Sequence, residues 1–251
     1  MTGLAELAED TAVYLLPRPG FEMQDRGEFV FEASGNRCSV HRLRLGDVDA
    51  ALRWTRAEAR RRNVARLEWW VGWNATPPDL PERLLALGLV PDDEAAWLRG
   101  MTCETPPSAV PDVDVRRIET VDQQLEAVRV DWDVWQIDAA GRERRAAVER
   151  DRFDPNGTVH HFAAYVDDEP VGFGRAIDMK AGVALMGGAV LAAFRGHGVY
   201  RALVRARWDH AVARGTPLLV VQAGHMSAPV LAGLGFVSHG ELRLYVDDVT
   251  R

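Results

Sequence analysis

Cysteine is almost absent from this 251-residue chain, with Cys38 and Cys103 the only two. Two thiols so far apart make neither a disulfide framework nor a thiolate zinc site. A surplus of positive charge is also lacking. Lys and Arg number 30 against 37 Asp and Glu, giving a formal net charge of -7 that argues against a general nucleic-acid binder. The seven histidines show no metal-ligand spacing, so no metal is expected. His160 and His161 are neighbours on an expected strand and so face opposite ways. No apolar run is long enough to span a bilayer, the most apolar being Val183 to Phe194. Glu6, Glu9 and Asp10 stand where a secretory signal would carry basic and apolar residues. The expectation is a cytoplasmic protein, monomer or homodimer, with no membrane or nucleic-acid partner.

What is present reads as an ordinary globular chain, 47% hydrophobic and 27% charged, with length for one large domain or two small ones. Its most informative stretch is Gly187 to Gly215. An apolar strand-like run through Ala189, Val190 and Leu191 passes Arg195-Gly196-His197-Gly198. An amphipathic helix follows, with Val199, Leu203, Ala206, His210 and Ala213 near helical spacing, closed by Gly215 and Pro217. A glycine turn leading from a strand into a helix leaves backbone N–H groups at the positive end of the helix dipole, which suits a phosphate. No Gly-Lys-Ser/Thr follows, so the turn is not a P-loop. Arg201 stands where the third glycine of a dinucleotide fingerprint would be.

The order of elements repeats. Val48 to Arg62 reads as a helix, Leu67 to Val71 as a strand, and Asp79 to Leu87 as a helix stopped by Gly88; Leu89 to Met101 reads as a hairpin or bent strand. In the second half the helix Val199 to Arg214, the strand Leu218 to Gln222 and the helix Ser227 to Leu234 recur in that order. Arg83 to Val90 lies over Val230 to Val237 with a shared Leu-Gly-Leu/Phe-Val. Between the halves, Thr105 to Pro111 carries three prolines in seven residues and reads as a linker. Beyond it come a strand at Val113 and Val115, a helix opened by Thr120 and Gln123 as a capping box and running to about Trp135, and a charged helix from Arg142 to Arg152. Three strands then follow, at Thr158 to Val166, Val171 to Ile177 and Val183 to Leu191.

This arrangement resembles the GNAT N-acetyltransferases. Arg195 and Gly198 match the family's Gln/Arg-x-x-Gly-x-Gly/Ala loop, Tyr200 departs from its last position, and Leu234-Gly235-Phe236 matches its Leu-Gly-Phe. The resemblance implies an α/β (α+β) fold, the GNAT acyl-CoA N-acyltransferase fold, with a mixed central sheet flanked by helices and two related halves. Residues 1–105 would be a degenerate GNAT-like half without a phosphate loop. Residues 112–251 would be the acetyltransferase domain. The resemblance further implies acetyl-CoA as co-substrate and no metal. Ala189, Val190, Leu191, Arg195, Gly196, His197, Gly198, Val199, Tyr200 and Arg201 would hold it, with the Tyr200 ring turned outward. The acceptor would be the amine of a small molecule or peptide, attacking the thioester directly.

The family's usual acid, a Tyr five residues before the Phe of Leu-Gly-Phe, is Leu231 here, and the Leu185 to Leu191 strand carries no carboxylate. His225 and Ser227 are the candidate catalytic residues, against the plainer reading of His225 as a solvated loop side chain. Trp132 and Trp135, three apart, either line an acceptor pocket or pack in the core. A non-catalytic acyl-CoA-binding sensor or interaction module on the same fold is the alternative.

Overall fold

The computed structural model describes residues 3–16, 20–92, 97–108 and 113–250. Pro17 and Pro19, the middle of the expected 89–101 hairpin, and residues 109–111 of the expected linker lie outside them. The strands are β1 (Glu22–Asp25), β2 (Val30–Ser34), β3 (Arg37–His41), β4 (Arg66–Val71), β5 (Val90–Pro91), β6 (Trp97–Cys103), β7 (Asp114–Arg117), β8 (Val159–Val166), β9 (Glu169–Asp178), β10 (Val183–Val190), β11 (Leu219–Ala223) and β12 (Val237–Asp248). The helices are α1 (Leu4–Glu9), α2 (Val48–Arg61), α3 (Leu80–Ala86), α4 (Val121–Ala127), α5 (Arg129–Val134), α6 (Ala139–Arg152), α7 (Val199–Ala213) and α8 (Ala228–Ala232), with short 3₁₀ turns at Thr11–Tyr14 and Ala192–Phe194. Among the described residues no helix is long and apolar enough to cross a membrane.

The chain forms two compact units. One comprises Met1–Met101, Gln222–Ala228 and Ser238–Arg251, and the other Thr102–Val221 and Pro229–Val237. A cut at the linker alone would leave residues 238–251 with the second half, but they belong to the first. The reason is strand pairing, which sequence order does not reveal. β12 runs antiparallel to β4 from Arg243↔Val71 to Asp248↔Arg66. Tyr245 and Val249 enter the first unit's core beside Trp69 and Leu67, and Arg56 holds Asp247 through two hydrogen bonds of 2.7 and 2.8 Å. Within this unit the strand order is β1-β2-β3-β4-β12-β6. The meander of β1 to β3 has no clear mark in the sequence because β2 is buried on both faces, which erases the alternation of a half-exposed strand.

The second unit orders its strands β11-β10-β9-β8-β7. Thr120 caps α4 and Gln123 answers it, as the capping box requires, although the single helix expected to Trp135 breaks at Val128 into α4 and α5. Asp138 caps α6 through the Gly141 amide at 2.7 Å and starts it three residues early. The repeat is visible in the helix ends. Gly88 (φ 93°) and Gly235 (φ 100°) take the left-handed conformation. Leu89 N donates to Leu84 O and Phe236 N to Leu231 O at matching positions of the two copies. Each closes its helix with a left-handed glycine cap.

Two histidines are held neutral in the interior. His41 lies between the Thr11 and Ser39 hydroxyls at 2.6 and 2.8 Å. Burial, with the charges of Arg37 and Arg42 behind it, pulls its pKa down to about 3. His161 stacks between Phe153 and Phe173, and burial together with Arg175 and His160 also pulls it down to about 3. An unfolded histidine titrates near ~6.5, so below that pH the unfolded chain binds protons that the folded chain refuses. Stability therefore falls from about pH 6.5 towards about 3, by up to ~1.4 kcal/mol per pH unit for each histidine. In urea denaturation, His161→Phe should flatten this slope by close to one proton. An unchanged slope would show that His161 is not held neutral.

Candidate functional site

The site begins where a strand pair ends. β10 runs parallel to β11 through Val183↔Leu219, Ala184↔Val220 and Leu185↔Val221, and pairing stops there. On its other side β10 stays antiparallel to β9 as far as Val190↔Gly172, with a register shift between Met186 and Ala189. Gly187 (φ 62°) sits in that bulge, where a glycine is needed for the left-handed backbone. The chain then turns through Ala192–Phe194 and Arg195 into α7. Gly196 (φ 80°) and Gly198 (φ 84°) are also left-handed, and Gly198 is the N-cap of the 15-residue helix, with no side chain capping it. Nothing lies within 4 Å of a Cβ placed at Gly196, so its glycine is a backbone requirement only.

Arg195, Gly196, His197 and Arg201 are exposed, Gly198 and Tyr200 half-buried, and Val199 buried. The His197 Nδ1 lies 2.9 Å from Arg195 O, which fixes the turn. This is a long helix whose start is open to solvent, preceded by a cationic residue and two left-handed glycines. It can bind an anion through backbone donors and the helix dipole. Of the strand groups expected to meet an extended ligand, several are already engaged, since Ala189 and Val190 pair with Phe173 and Gly172 of β9. Leu191 N donates to Val171 O at 3.0 Å, and Val190 O accepts from Arg195 Nε at 3.2 Å. Ala189 and Val190 are buried and Leu191 half-buried.

Tyr200 does not point outward as the sequence reading expected. A Cβ at Gly188 would stand 2.6 Å from Tyr200 Cε2 and 3.6 Å from its Cζ, so the ring packs flush on the strand backbone at Gly188. The large residue in the loop is thus matched by an absent side chain in β10, a pairing of residues twelve apart that no local pattern signals.

The corresponding junction in the first unit is closed. β3 and β4 are parallel from Cys38↔Leu67 to Val40↔Trp69. Beyond this the loop after β4 returns to the departing chain: Leu45 N donates to Thr76 O and Thr76 N to Leu43 O, at 2.9 and 3.1 Å. At the start of α2 the Glu28 carboxylate takes the Gly46 amide at 3.0 Å and Asp47 takes the Ala50 amide at 2.9 Å. The chain's own carboxylates occupy the place where an external anion would bind.

His225 and Ser227 fall in the segment Gln222–Ala228, which packs with the first unit. His225 is exposed and, among the described residues, makes no hydrogen bond or ion pair. Ser227 Oγ donates to Gly224 O at 3.3 Å. Leu231 is fully buried. Trp132 belongs to the core of the second unit, whereas Trp135 at the end of α5 is 69% exposed, so the two do not form one wall.

Two polar clusters appear that the sequence reading missed. Arg175 on β9 bonds Glu149 of α6 at 3.0 Å and lies 3.9 Å from Asp131 of α5. Gln124 completes the cluster by donating to Glu149 at 2.6 Å. Elsewhere Asp178 accepts from His160, His210 and Arg214 at 2.9, 2.8 and 2.9 Å. His160, Asp178 and His210 bring their ligating atoms within 4.8 Å of one another, but a guanidinium already matches the carboxylate's charge. Burial pushes the Asp178 carboxyl up, and the bonds from His210 and His160 more than reverse it, leaving it below the usual range. The first cluster joins residues from four elements and the second from three, so neither has a spacing to read.

Residues 125–236 match the profile of the Acetyltransferase (GNAT) family. No curated protein is significantly similar in sequence. Among solved structures the chain is similar to a GCN5-related N-acetyltransferase from Kribbella flavida, with TM-score 0.70, 14% identity, and 98% of this chain and 96% of that one covered. It is also similar to a conserved protein of unknown function from Staphylococcus epidermidis ATCC 12228, with TM-score 0.69, 12% identity, and 96% and 99% covered. A third is a tandem GNAT protein from the clavulanic acid biosynthesis pathway, with TM-score 0.67, 15% identity, and 98% and 87% covered. At these identities the likeness is one of fold, and it extends over both units.

The contact of Tyr200 with Gly188 is directly testable. Gly188→Ala should destabilise the protein by ~1–3 kcal/mol through overpacking. Tyr200→Ala in the same chain should recover most of that loss in a double-mutant cycle. Strictly additive effects would show that the ring does not rest on Gly188.

Proposed function

From the premise that residues 125–236 are a GNAT-family domain on a chain with the GNAT fold, we propose that the protein transfers an acetyl group from acetyl-CoA to a primary amine. The fold and family support acyl transfer in general, and acetyl-CoA is the family's usual donor. The single observation that carries the finer reading is the start of α7. An uncapped helix end, two left-handed glycines and Arg195 follow a strand whose edge towards β11 is unpaired beyond Leu185. The amides from Gly196 to Arg201 suit a pyrophosphate, and the unpaired stretch of β10 suits the amide-bearing pantetheine arm. With Leu191 N, Val190 O and the groups paired to β9 engaged within the chain, the arm would rely on the remaining backbone groups of Met186 to Leu191.

In the proposed reaction the neutral amine attacks the thioester carbon within a ternary complex. The N–C bond forms, the C–S bond breaks, and the electron pair leaves on sulfur. The amine's proton passes to solvent or to a base, and the thiolate takes one up. Because the thiolate is a modest base, an enzyme without Leu231's usual tyrosine still turns over; one general acid contributes ~10²–10⁴-fold. A second reading, an acyl-CoA-binding module without catalysis, is favoured by the lack of any carboxylate on β10 and by the apolar Leu231. Release of free thiol from acetyl-CoA over a panel of amines separates the two: any amine-dependent release excludes the module.

Calorimetry with acetyl-CoA should give one site per chain, because Glu28 and Asp47 fill the equivalent position in the first unit. A stoichiometry near two would overturn this. Gly198→Val, which forces a β-branched residue into the left-handed region, should abolish binding while leaving the circular dichroism of the fold intact. Unchanged affinity would remove the α7 start from the site. His225→Ala and Ser227→Ala each test a catalytic role, with a shifted pH–rate profile expected for whichever carries a proton. A profile indifferent to both excludes both.

A further inference from the structure

Arg207, two turns into α7, is fully buried. Its Nε donates to Leu203 O at 2.9 Å, and its Nη1 lies 3.2 Å from Arg175 O and 3.3 Å from Gly187 O. Nη2 is buried without a hydrogen-bond partner, and among the described residues Arg207 makes no ion pair. β9 makes room for it through Gly174, where a Cβ would lie 3.0 Å from Nη1. Burial pulls its pKa down to about 10, which leaves it charged at neutral pH. A buried charge without a counterion is strongly unfavourable, and removing water only strengthens its pull on any anion that arrives. Its position says where that anion would be. The bulge turns the Gly187 carbonyl towards Arg207, and Tyr200, seven residues earlier on the same helix face, covers the next residue, Gly188. Nine residues of helix, or ~14 Å, separate Arg207 from the phosphate-binding turn at Gly198. An extended pantetheine arm that started at that turn and followed β10 would carry its sulfur towards the bulge at Gly187, beside Arg207.

We propose that Arg207 is the built-in positive charge for the coenzyme's sulfur, stabilising the thiolate that leaves as the C–S bond breaks and standing in for the acid that Leu231 cannot be. This rests on the acetyl-CoA reading above. Arg207 acts as a fixed charge beneath the strand; no proton leaves it. The electron pair of the broken bond stays on sulfur until solvent protonates it.

The test is titration of the thiol of bound coenzyme A, followed by its thiolate ultraviolet absorbance, with no acceptor present. In the wild type the bound thiol should titrate at least about one pH unit below free coenzyme A. Arg207→Gln, which keeps donors for the strand carbonyls but loses the charge, should bring it back to the free value. Arg207→Lys should keep part of the shift. A wild-type thiol that titrates as free coenzyme A does would overturn the proposal whatever the variants do, and so would an Arg207→Gln protein that binds coenzyme A and keeps the full shift. Should Arg207→Gln not fold, the wild-type titration and Arg207→Lys decide the question. Failure of the wild type to bind coenzyme A at all overturns the acetyl-CoA reading and this proposal with it, whereas binding with an unshifted thiol overturns this proposal alone.

Discussion

Two parallel strands that stay hydrogen-bonded for three residue pairs and then part set most of what the second unit can do. β10 leaves β11 after Leu185, and a buried or half-buried strand cannot leave backbone N–H and C=O groups idle without cost. In the first unit the equivalent gap is closed by the chain itself, through Leu43, Leu45 and Thr76. In the second it is followed by the bulge at Gly187, the turn at Arg195 and the open start of α7. The same junction has thus been built twice, once closed from within and once with its two strands parting.

The charges follow the same division. At the start of α2 two carboxylates, Glu28 and Asp47, satisfy the amides. At the start of α7 the N-cap residue is Gly198, which has no side chain to do so, and the charge in the turn, Arg195, is positive. Deeper along α7, Arg207 has carbonyl partners but no carboxylate, although Asp131 and Glu149 lie close to Arg175 in the same unit. Carboxylates gather around Arg175, while Arg207, bonded to the bulged strand, makes no ion pair among the described residues. Tyr200 belongs to this arrangement. Its bulk at the start of α7 is accommodated because β10 has no side chain at Gly188.

Much was legible in the sequence because it depended on neighbours along the chain. The capping box at Thr120 and Gln123, the left-handed glycines at Gly88 and Gly235, the apolar run of β10 and the Arg195 to Gly198 turn are local patterns, and local backbone preference is enough to place them. The repeat of Arg83–Val90 in Val230–Val237 was legible for the same reason, since each copy closes its helix by the same short-range bonds. The early strands were less so, because β2 is buried on both faces and shows no alternation.

Tertiary structure alone decided the rest, since those features depend on which distant segments meet. β12 packs with the first unit because its partner is β4, and nothing in residues 238–251 names that partner. Tyr200 turns inward rather than outward because of a glycine on another element. Trp132 and Trp135 part company because α5 ends between them, one side chain going to the core and the other to solvent. Arg207 reads in sequence as one more arginine on an amphipathic helix. Only packing against Gly174 and Gly187 makes it a buried charge that has no ion pair among the described residues, because burial is set by what comes to lie on a residue and not by the residue's own identity.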